Sequence, residues 1–257
     1  MPNLRISTTL AAVALTLVAC GGDTPADNAT GAVNGPVTVF AAASLTESFT
    51  KLGQEFEAAH PGTKVNFNFA GSSALAQQID QGAPADVFAS AAQTNMKQVS
   101  DAGATSGEPV TFVRNRLEIA VPKGNPAGIT GLVDFADAER KIALCDEKVP
   151  CGAAAKKVFE AAGLAAAPDT LEQDVKAALT KVRLGEVDAA LVYRTDVKAA
   201  GGEVDGIAFP EADEAINDYP IATLAKAPNA TTAGAFMQFV LSARGRAVLG
   251  EAGFDAP

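Results

Sequence analysis

Apolar and polar positions along the chain follow two periods, one typical of strands and the other typical of helices. Residues 37–43, VTVFAAA, form an apolar run that predicts a strand. The next apolar positions recur at the spacing of one helix face, and they are Leu45, Phe49, Leu52 and Phe56. Ser44 therefore lies at the junction of a predicted strand and a predicted helix, beside residues with very small side chains.

Strand and helix patterns alternate along the rest of the chain. Further strands are predicted at residues 65–69, 86–90, 117–122, 141–145, 187–193 and 219–224. Helices are predicted to open at the segment GSS, residues 71–73, at residues 94–102 and 153–162, from residue 175, and within residues 231–253. This alternation predicts an α/β protein whose strands are mainly parallel. The segment from residue 36 onward is long enough for two lobes, and a crevice between lobes is a common ligand site.

The N-terminal segment predicts export. Arg5 precedes an apolar stretch at residues 10–19, which is shorter than the ~20 residues of a membrane span but suits a signal peptide. The stretch ends in LVAC, which resembles the lipobox of bacterial lipoproteins, so we expect residues 1–19 to be removed and Cys20 to carry a lipid. The alternative is an ordinary signal peptide with a chance cysteine. Residues 20–35 have the composition of a flexible tether, and we expect the body at the outer face of the cell membrane.

Two cysteines remain beyond Cys20, and both lie in the segment CDEKVPC. An exported protein with a lone pair of this kind, Cys145 and Cys151, is expected to close it as a disulfide. So small a loop would stabilise the fold by only about 2–3 kcal/mol. Two free buried thiols are the alternative.

Charge and motifs exclude several function classes. The formal net charge is -10 and basic residues do not cluster, so nucleic acid is not an expected partner, because phosphate contacts need Lys and Arg. The chain contains neither a GxSxG elbow nor a GxGxxG or P-loop pattern, so we expect neither an enzyme nor a cofactor. The single histidine, His60, lies in a turn-like segment, so no site for a metal cation is predicted.

Three predicted strand-to-helix junctions share small and hydroxyl residues: AAASLTE, FAGSSAL and VPCGAAA. The first N–H groups of a helix lack internal partners and carry partial positive charge, so such ends bind anions. A purely structural interpretation stays open for each. Ser44 with Glu47 matches a capping box, Ser72 and Ser73 could be N-caps, and Tyr193 at a strand end could simply pack in the core.

Five segments carry a resemblance to a known family, over about residues 37–254. They are VTVFAAASLTESF, FNFAGSSALAQQIDQGAPADVFASA, VPCG, EQDVKAAL and LVYRTD. They resemble the molybdate-binding protein of bacterial molybdate ABC transporters. The resemblance implies a type II periplasmic-binding-protein fold, in which two α/β lobes are joined by two crossover strands with a ligand cleft between them. It also implies a monomer that captures molybdate or tungstate, with molybdenum bound as its oxyanion, and delivers it to an ABC permease.

The resemblance implies five ligand contacts. Ser44 and Ser72 would each give a hydroxyl and a backbone N–H, Cys151 and Val175 a backbone N–H, and Tyr193 its hydroxyl. The family has a serine where this chain has a glycine at position 71, so Ser73 stays an alternative to Ser72. The loop before Cys151 is one residue shorter than the family pattern, which makes this match the least secure.

The predicted lobes are residues 36–115 with 219–257, and residues 116–218. The alternative function on the same fold is binding of another oxyanion or a small carboxylate, for which Arg114, Arg116 or Arg194 would have to lie at the cleft mouth. A hydrolase or transferase that uses Ser44 or Ser72 is a further alternative, as is a surface interaction protein.

Overall fold

The computed structural model describes Met1 and residues 32–257. The predicted signal peptide, the lipidation site Cys20 and most of the predicted tether lie outside the described residues. Among the residues that are described, no helix combines the length and the apolar character needed to cross a membrane.

Strands and helices alternate along the described chain. The strands are β1 Gly35–Ala42, β2 Thr63–Ala70, β3 Val87–Ala89, β4 Val110–Asn115, β5 Leu117–Pro122, β6 Ile142–Cys145, β7 Thr170–Glu172, β8 Ala189–Tyr193, β9 Val204–Ile207 and β10 Asn217–Thr223. The helices are α1 Thr46–Ala59, α2 Ser72–Asp80, α3 Gln93–Asp101, α4 Pro150–Ala162, α5 Val175–Arg183, α6 Arg194–Ala199, α7 Ala230–Leu241 and α8 Ala243–Ala252. Short 3-10 helices span Ala43–Leu45, Leu132–Ala136 and Pro210–Ala215.

The first sheet has the strand order β2-β1-β3-β10-β4. β1 runs parallel to β2 and to β3, whereas β10 runs antiparallel to β3 and β4. The predicted helix face packs on this sheet, because Phe49, Leu52 and Phe56 are fully buried in its core. An amphipathic helix of this kind is held mainly by such burial.

The second sheet repeats the arrangement with the order β7-β6-β8-β5-β9. β6 is parallel to β7 and β8, and β5 is antiparallel to β8 and β9. A separate core covers this sheet and includes Phe135, Val158 and Ala178, all of them fully buried.

The chain crosses between the two sheets twice. Arg116 alone separates β4, in the first sheet, from β5, in the second. The return follows β9, passes through the 3-10 helix Pro210–Ala215 and enters the first sheet at Asn217, which pairs with Asn115. The predicted α/β class, with two sheets and two crossings, is therefore confirmed.

Most predicted elements are present within a few residues of their expected ends. Helix α4 begins earlier than predicted, at Pro150, because proline is well suited to the first turn of a helix. The sequence patterns missed β4, β7, β9 and α6. Two of these, β7 and β9, are short edge strands, and α6 is only six residues long, so none shows a sustained period.

Candidate functional site

One small cavity is lined by all five residues that the resemblance singled out. Its volume is about 10 Å³, which is close to the room that a single water molecule needs. The lining residues are Ala42, Ala43, Ser44, Ala70, Gly71, Ser72, Ala91, Val149, Pro150, Cys151, Asp174, Val175 and Tyr193. They come from the carboxyl ends of parallel strands in both sheets, where open α/β folds commonly bind ligands.

Three helices begin at this cavity with backbone N–H groups that lie ahead of the first intrahelical hydrogen bond. That first bond runs from Leu75 to Gly71 in α2, from Ala153 to Val149 in α4 and from Ala178 to Asp174 in α5. The N–H groups of Ser72, Cys151 and Val175 precede these bonds. The helix ends therefore present donors and partial positive charge to the cavity.

Asp174 leaves one particular N–H group of α5 for the cavity. Its carboxylate accepts the N–H groups of Lys176 and Ala177, at 2.9 and 3.0 Å. The N–H of Val175, the residue between them and Asp174, takes no part in this cap. At the start of α4, Pro150 carries no N–H, so Cys151 is the first donor there.

Ser72 is not the N-cap of α2, so that alternative was wrong. The N-cap is Gly71, and Ser72 is the first residue of the helix. Its Oγ accepts the N–H of Ala91 at 2.9 Å, which leaves the hydroxyl hydrogen free to donate. Of the two candidate serines, Ser72 lines the cavity, and Ser73 is not among the residues that do so.

The capping box expected for Ser44 and Glu47 was also wrong. Ser44 lies inside the 3-10 helix Ala43–Leu45, and the residue before α1 makes no side-chain cap. The Ser44 hydroxyl instead lies 2.8 Å from the Tyr219 hydroxyl, and both residues are buried. Glu47 points to the other sheet, where it pairs with Lys176 at 2.8 Å.

Tyr193 places a neutral donor at the cavity. It ends β8, is 1% exposed, and its hydroxyl has no hydrogen-bond partner among the described residues. Burial raises the pKa of Tyr193 well above its ordinary value, so the phenol stays protonated at neutral pH. An unpaired buried hydroxyl is costly, and a ligand that accepts from it would remove that cost.

Cys151 is joined to Cys145 by a disulfide in the structure. Its sulfur is therefore not a free thiol, and its backbone N–H is the group that can bind a ligand. The adjacent Gly152 lets the start of α4 approach the end of β6 closely, since a Cβ there would clash with the carbonyl oxygen of Asp146.

The charged groups near the cavity are paired with one another. Lys176 Nζ contacts Glu47 and lies 3.0 Å from the fully buried Asp196. Burial raises the pKa of Asp196, while Lys176 opposes that shift. Burial works to lower the pKa of Lys176, but Asp196 and Glu47 outweigh it and raise the value.

The three arginines considered for a carboxylate site do not line the cavity. Arg114 pairs with Asp218, Arg116 with Asp213 and Asp255, and Arg194 with Asp255. The cavity is thus lined without any Lys, Arg or His side chain, and the carboxylate of Asp174 is engaged in its cap. Within the described part of the chain, no group of three or more His, Cys, Asp or Glu residues could hold a metal ion.

Sequence reasoning missed residues that do not line the cavity but form hydrogen bonds or ion pairs close to it. Tyr219 was assigned to a late strand without a role, and Asn115, Lys176 and Asp196 were not singled out. Tyr219 and Ser44 are 175 positions apart, so no local pattern connects them. The one available signal was that the chain has only two tyrosines and each falls in a predicted strand.

Comparison with known proteins finds a matching family model and similar sequences, and these agree with one another. The family model for bacterial extracellular solute-binding proteins matches residues 37–255. The molybdate-binding protein ModA of Mycobacterium tuberculosis is 41% identical over 243 residues, which cover 94% of this chain and 93% of that protein.

Two solved structures share the fold. The periplasmic molybdate-binding protein of Azotobacter vinelandii has a TM-score of 0.74 at 20% identity, and the match covers 86% of this chain and 99% of that one. The sulfate-binding protein SubI of Mycobacterium tuberculosis has a TM-score of 0.75 at 16% identity, with 87% of each chain covered. These likenesses confirm the predicted type II periplasmic-binding-protein fold, with two α/β lobes joined by two crossovers.

Proposed function

Because this chain belongs to the molybdate-binding proteins within the bacterial extracellular solute-binding protein family, we propose that it captures molybdate in the cavity described above and delivers it to an ABC permease. Ser44, Ser72, Cys151, Val175 and Tyr193 are the proposed ligand contacts. The observation that carries this assignment is the unpaired Tyr193 hydroxyl, at a cavity that is also lined by small apolar residues, two serines and the starts of three helices.

The proposed donor set is large enough to hold a buried dianion. The two serines would supply two donors each, and Cys151, Val175 and Tyr193 one each, which makes seven. Hydrogen bonds to charged groups are worth roughly 1.5–3 kcal/mol each, so seven supply about 10–20 kcal/mol. Burial of an ion costs several kcal/mol after relaxation, and more for a dianion. The balance is favourable only when the donor set is complete and dry, which is the physical reason for two lobes that close on the ligand.

A cavity lined by donors also selects among oxyanions. A fully deprotonated dianion accepts from every donor, whereas hydrogen phosphate carries an O–H that needs an acceptor. Sulfate has the same charge as molybdate but shorter bonds, so the size of the cavity must discriminate against it. Tungstate is nearly the same size as molybdate and is proposed as a second ligand.

The protein is proposed to work outside the cytoplasm, anchored to the outer face of the membrane through a lipid on Cys20. Residues 1–19 are the proposed signal peptide and residues 20–35 the proposed tether, with a monomeric body behind them. The proposed lobes are residues 36–115 with 219–257 and residues 116–218. The wild-type protein and its Cys20→Ala variant should differ in the mass of the mature N-terminus and in their fractionation with the membrane; identical behaviour would contradict the anchor.

The function is tested by calorimetry and thermal unfolding of the processed protein with molybdate, tungstate, sulfate and phosphate. Molybdate and tungstate should bind and raise Tm, because a ligand that binds only the folded form stabilises it. Sulfate or phosphate bound as tightly as molybdate would contradict the proposal. A Tm that stays flat across all four anions would instead favour an interaction protein whose cavity is incidental.

A further inference from the structure

A chain of hydrogen bonds behind the cavity links Asn115, Tyr219 and Ser44. Asn115 ends β4 and Tyr219 lies in β10, so both are on strands at the two crossings between the sheets. Asn115 Nδ2 lies 3.4 Å from the Tyr219 hydroxyl, which lies 2.8 Å from Ser44 Oγ. All three residues are buried, and Ser44 alone of them lines the cavity.

The direction of these hydrogen bonds follows from the neighbours of Asn115. Its Oδ1 accepts the backbone N–H of Arg116 at 3.0 Å, so its other terminal atom must be the NH₂ group. That group donates to Thr195 Oγ1 at 2.8 Å and to the Tyr219 oxygen. Asn115 is therefore a donor toward Tyr219 and cannot accept from it.

The phenol has one hydrogen, and Ser44 Oγ is its acceptor. The reverse arrangement would aim hydrogens of both Asn115 and Ser44 at the same phenol oxygen. The neighbouring Tyr193 hydroxyl forms no hydrogen bond among the described residues, so Ser44 Oγ is the acceptor within hydrogen-bond distance of the phenol. Burial raises the pKa of Tyr219, so the phenol keeps this hydrogen at neutral pH. With Tyr219 donating to it, Ser44 has its own hydrogen free for the cavity.

We propose that Asn115 and Tyr219 are positioning residues that fix the Ser44 hydroxyl as a donor into the cavity and so make the site discriminate against oxyanions that carry a proton. Besides the lone pair that accepts from Tyr219, Ser44 Oγ has a second one. To accept from a protonated oxyanion with it, Ser44 would have to turn its own hydrogen out of the cavity. Among the described residues, the side-chain hydroxyl bonded to Ser44 Oγ is that of Tyr219, which already donates to it, so the turned hydrogen would lose its acceptor. This inference rests on the proposed function, because it concerns how the same cavity selects its anion.

The test is a double-mutant cycle between Tyr219→Phe and Ser44→Ala, with affinities for molybdate and for phosphate measured by calorimetry at pH 8. Tyr219→Phe keeps the ring, which packs edge-on against Tyr193 and Phe254, and removes only the hydroxyl. We expect molybdate affinity to fall by about 10-fold, as for loss of one hydrogen bond in a charged network. The ratio of molybdate to phosphate affinity should narrow, because the freed Ser44 oxygen can then accept.

The cycle separates a positioning role from a general structural one. If Tyr219 acts through Ser44, the change Tyr219→Phe should alter neither the affinity nor the ratio in the Ser44→Ala background. Thr223→Val is the matched control. It removes a hydroxyl from the same strand, and among the described residues that hydroxyl donates to the Ser106 carbonyl oxygen alone. It should bind both anions like wild type.

Three results would overturn the inference. One is an unchanged affinity ratio in Tyr219→Phe, and another is an equal effect of that change with and without the Ser44 hydroxyl. The third is a wild-type protein that binds no molybdate, which would remove the proposed function itself and the inference with it. Molybdate binding by the wild-type protein therefore distinguishes failure of the proposed positioning role from failure of the proposed function.

Discussion

Lys176 Nζ lies 2.8 Å from both carboxylate oxygens of Glu47, and this ion pair joins a helix on the first sheet to a helix on the second. The same ammonium group lies 3.0 Å from Asp196, which is fully buried. Lys176 directly follows Val175, so the pair links the two lobes beside a proposed ligand contact.

Lys176 and its half-exposed partner Glu47 should respond differently to mutation. Lys176→Met leaves the Asp196 carboxylate buried without its cation, which should lower the free energy of unfolding by about 3–5 kcal/mol. Glu47→Gln removes only the half-exposed partner and should cost about 0–1 kcal/mol. Urea unfolding of both variants checks this. Equal losses in the two variants would show that the buried Asp196 carboxylate does not need the charge of Lys176. Adding Asp196→Asn to Lys176→Met should restore most of the lost free energy of unfolding.

Closure should depend on the absence of a side chain at Gly71. A Cβ there would lie 2.6 Å from the carbonyl oxygen of Gln173, on the other side of the cavity. The backbone of Gly71 has φ -58°, which any residue adopts, so the effect of a substitution is steric. Gly71→Ala should weaken molybdate binding several-fold by holding the two segments apart. Gly250→Ala, where a Cβ meets nothing within 4 Å, is the control and should bind normally.

Loss of the Tyr193 hydroxyl should weaken binding without harming the fold. Tyr193→Phe removes one donor to a charged ligand, worth roughly 1.5–3 kcal/mol, so the Kd should rise by about 10- to 150-fold. Because the hydroxyl is unpaired in the structure, the ligand-free variant should be at least as stable as wild type. A large drop in the Tm of the ligand-free variant would contradict this.

The affinity of the protein for molybdate should stay constant between pH 7 and 9. Burial raises the pKa of both Tyr193 and Tyr219, so neither phenol loses its hydrogen in this range. The cavity is lined by no other group that would lose a donor on going to alkaline pH. Calorimetry across the range checks the expectation, and a progressive loss of affinity toward pH 9 would show that a phenol ionises.

Acid should remove the stability that Asp255 contributes. Burial works to raise the pKa of Asp255, but the hydrogen bonds and charges of Arg194 and Arg116 outweigh it and lower the value. Because the folded pKa lies below the unfolded one, the contribution is present above about pH 4 and is lost as pH falls through the folded pKa.

Asp255→Asn should therefore lower the free energy of unfolding at pH 6, by about 1 kcal/mol or less because the carboxyl group is partly exposed. In urea unfolding, the difference from wild type should shrink as the pH is lowered toward about 2. Asp101→Asn, on an exposed pair within α3, is the matched control for a lost surface pair. A difference that stays constant with pH would show that the Asp255 pairs do not contribute.

The sequence by itself determined most of the elements and indicated the chemistry of the candidate site. The period of Phe49, Leu52 and Phe56 predicts one helix face, and those residues are buried as expected, because a periodic apolar pattern is local information. The small and hydroxyl residues at the helix starts likewise indicated where an anion could approach a backbone. Cys151 and Val175, which the resemblance pointed to, come to the same cavity as Ser44 and Ser72.

Only the tertiary structure decided what each of these groups does. Locally, SLTE matches a capping box, yet the Ser44 hydroxyl pairs with Tyr219, and Glu47 pairs with Lys176 of the helix on the other sheet. Both partners lie more than a hundred positions away in sequence. A hydroxyl or a carboxylate bonds to whichever group folding brings nearest, and that choice is set by how the two sheets pack, which no local period encodes.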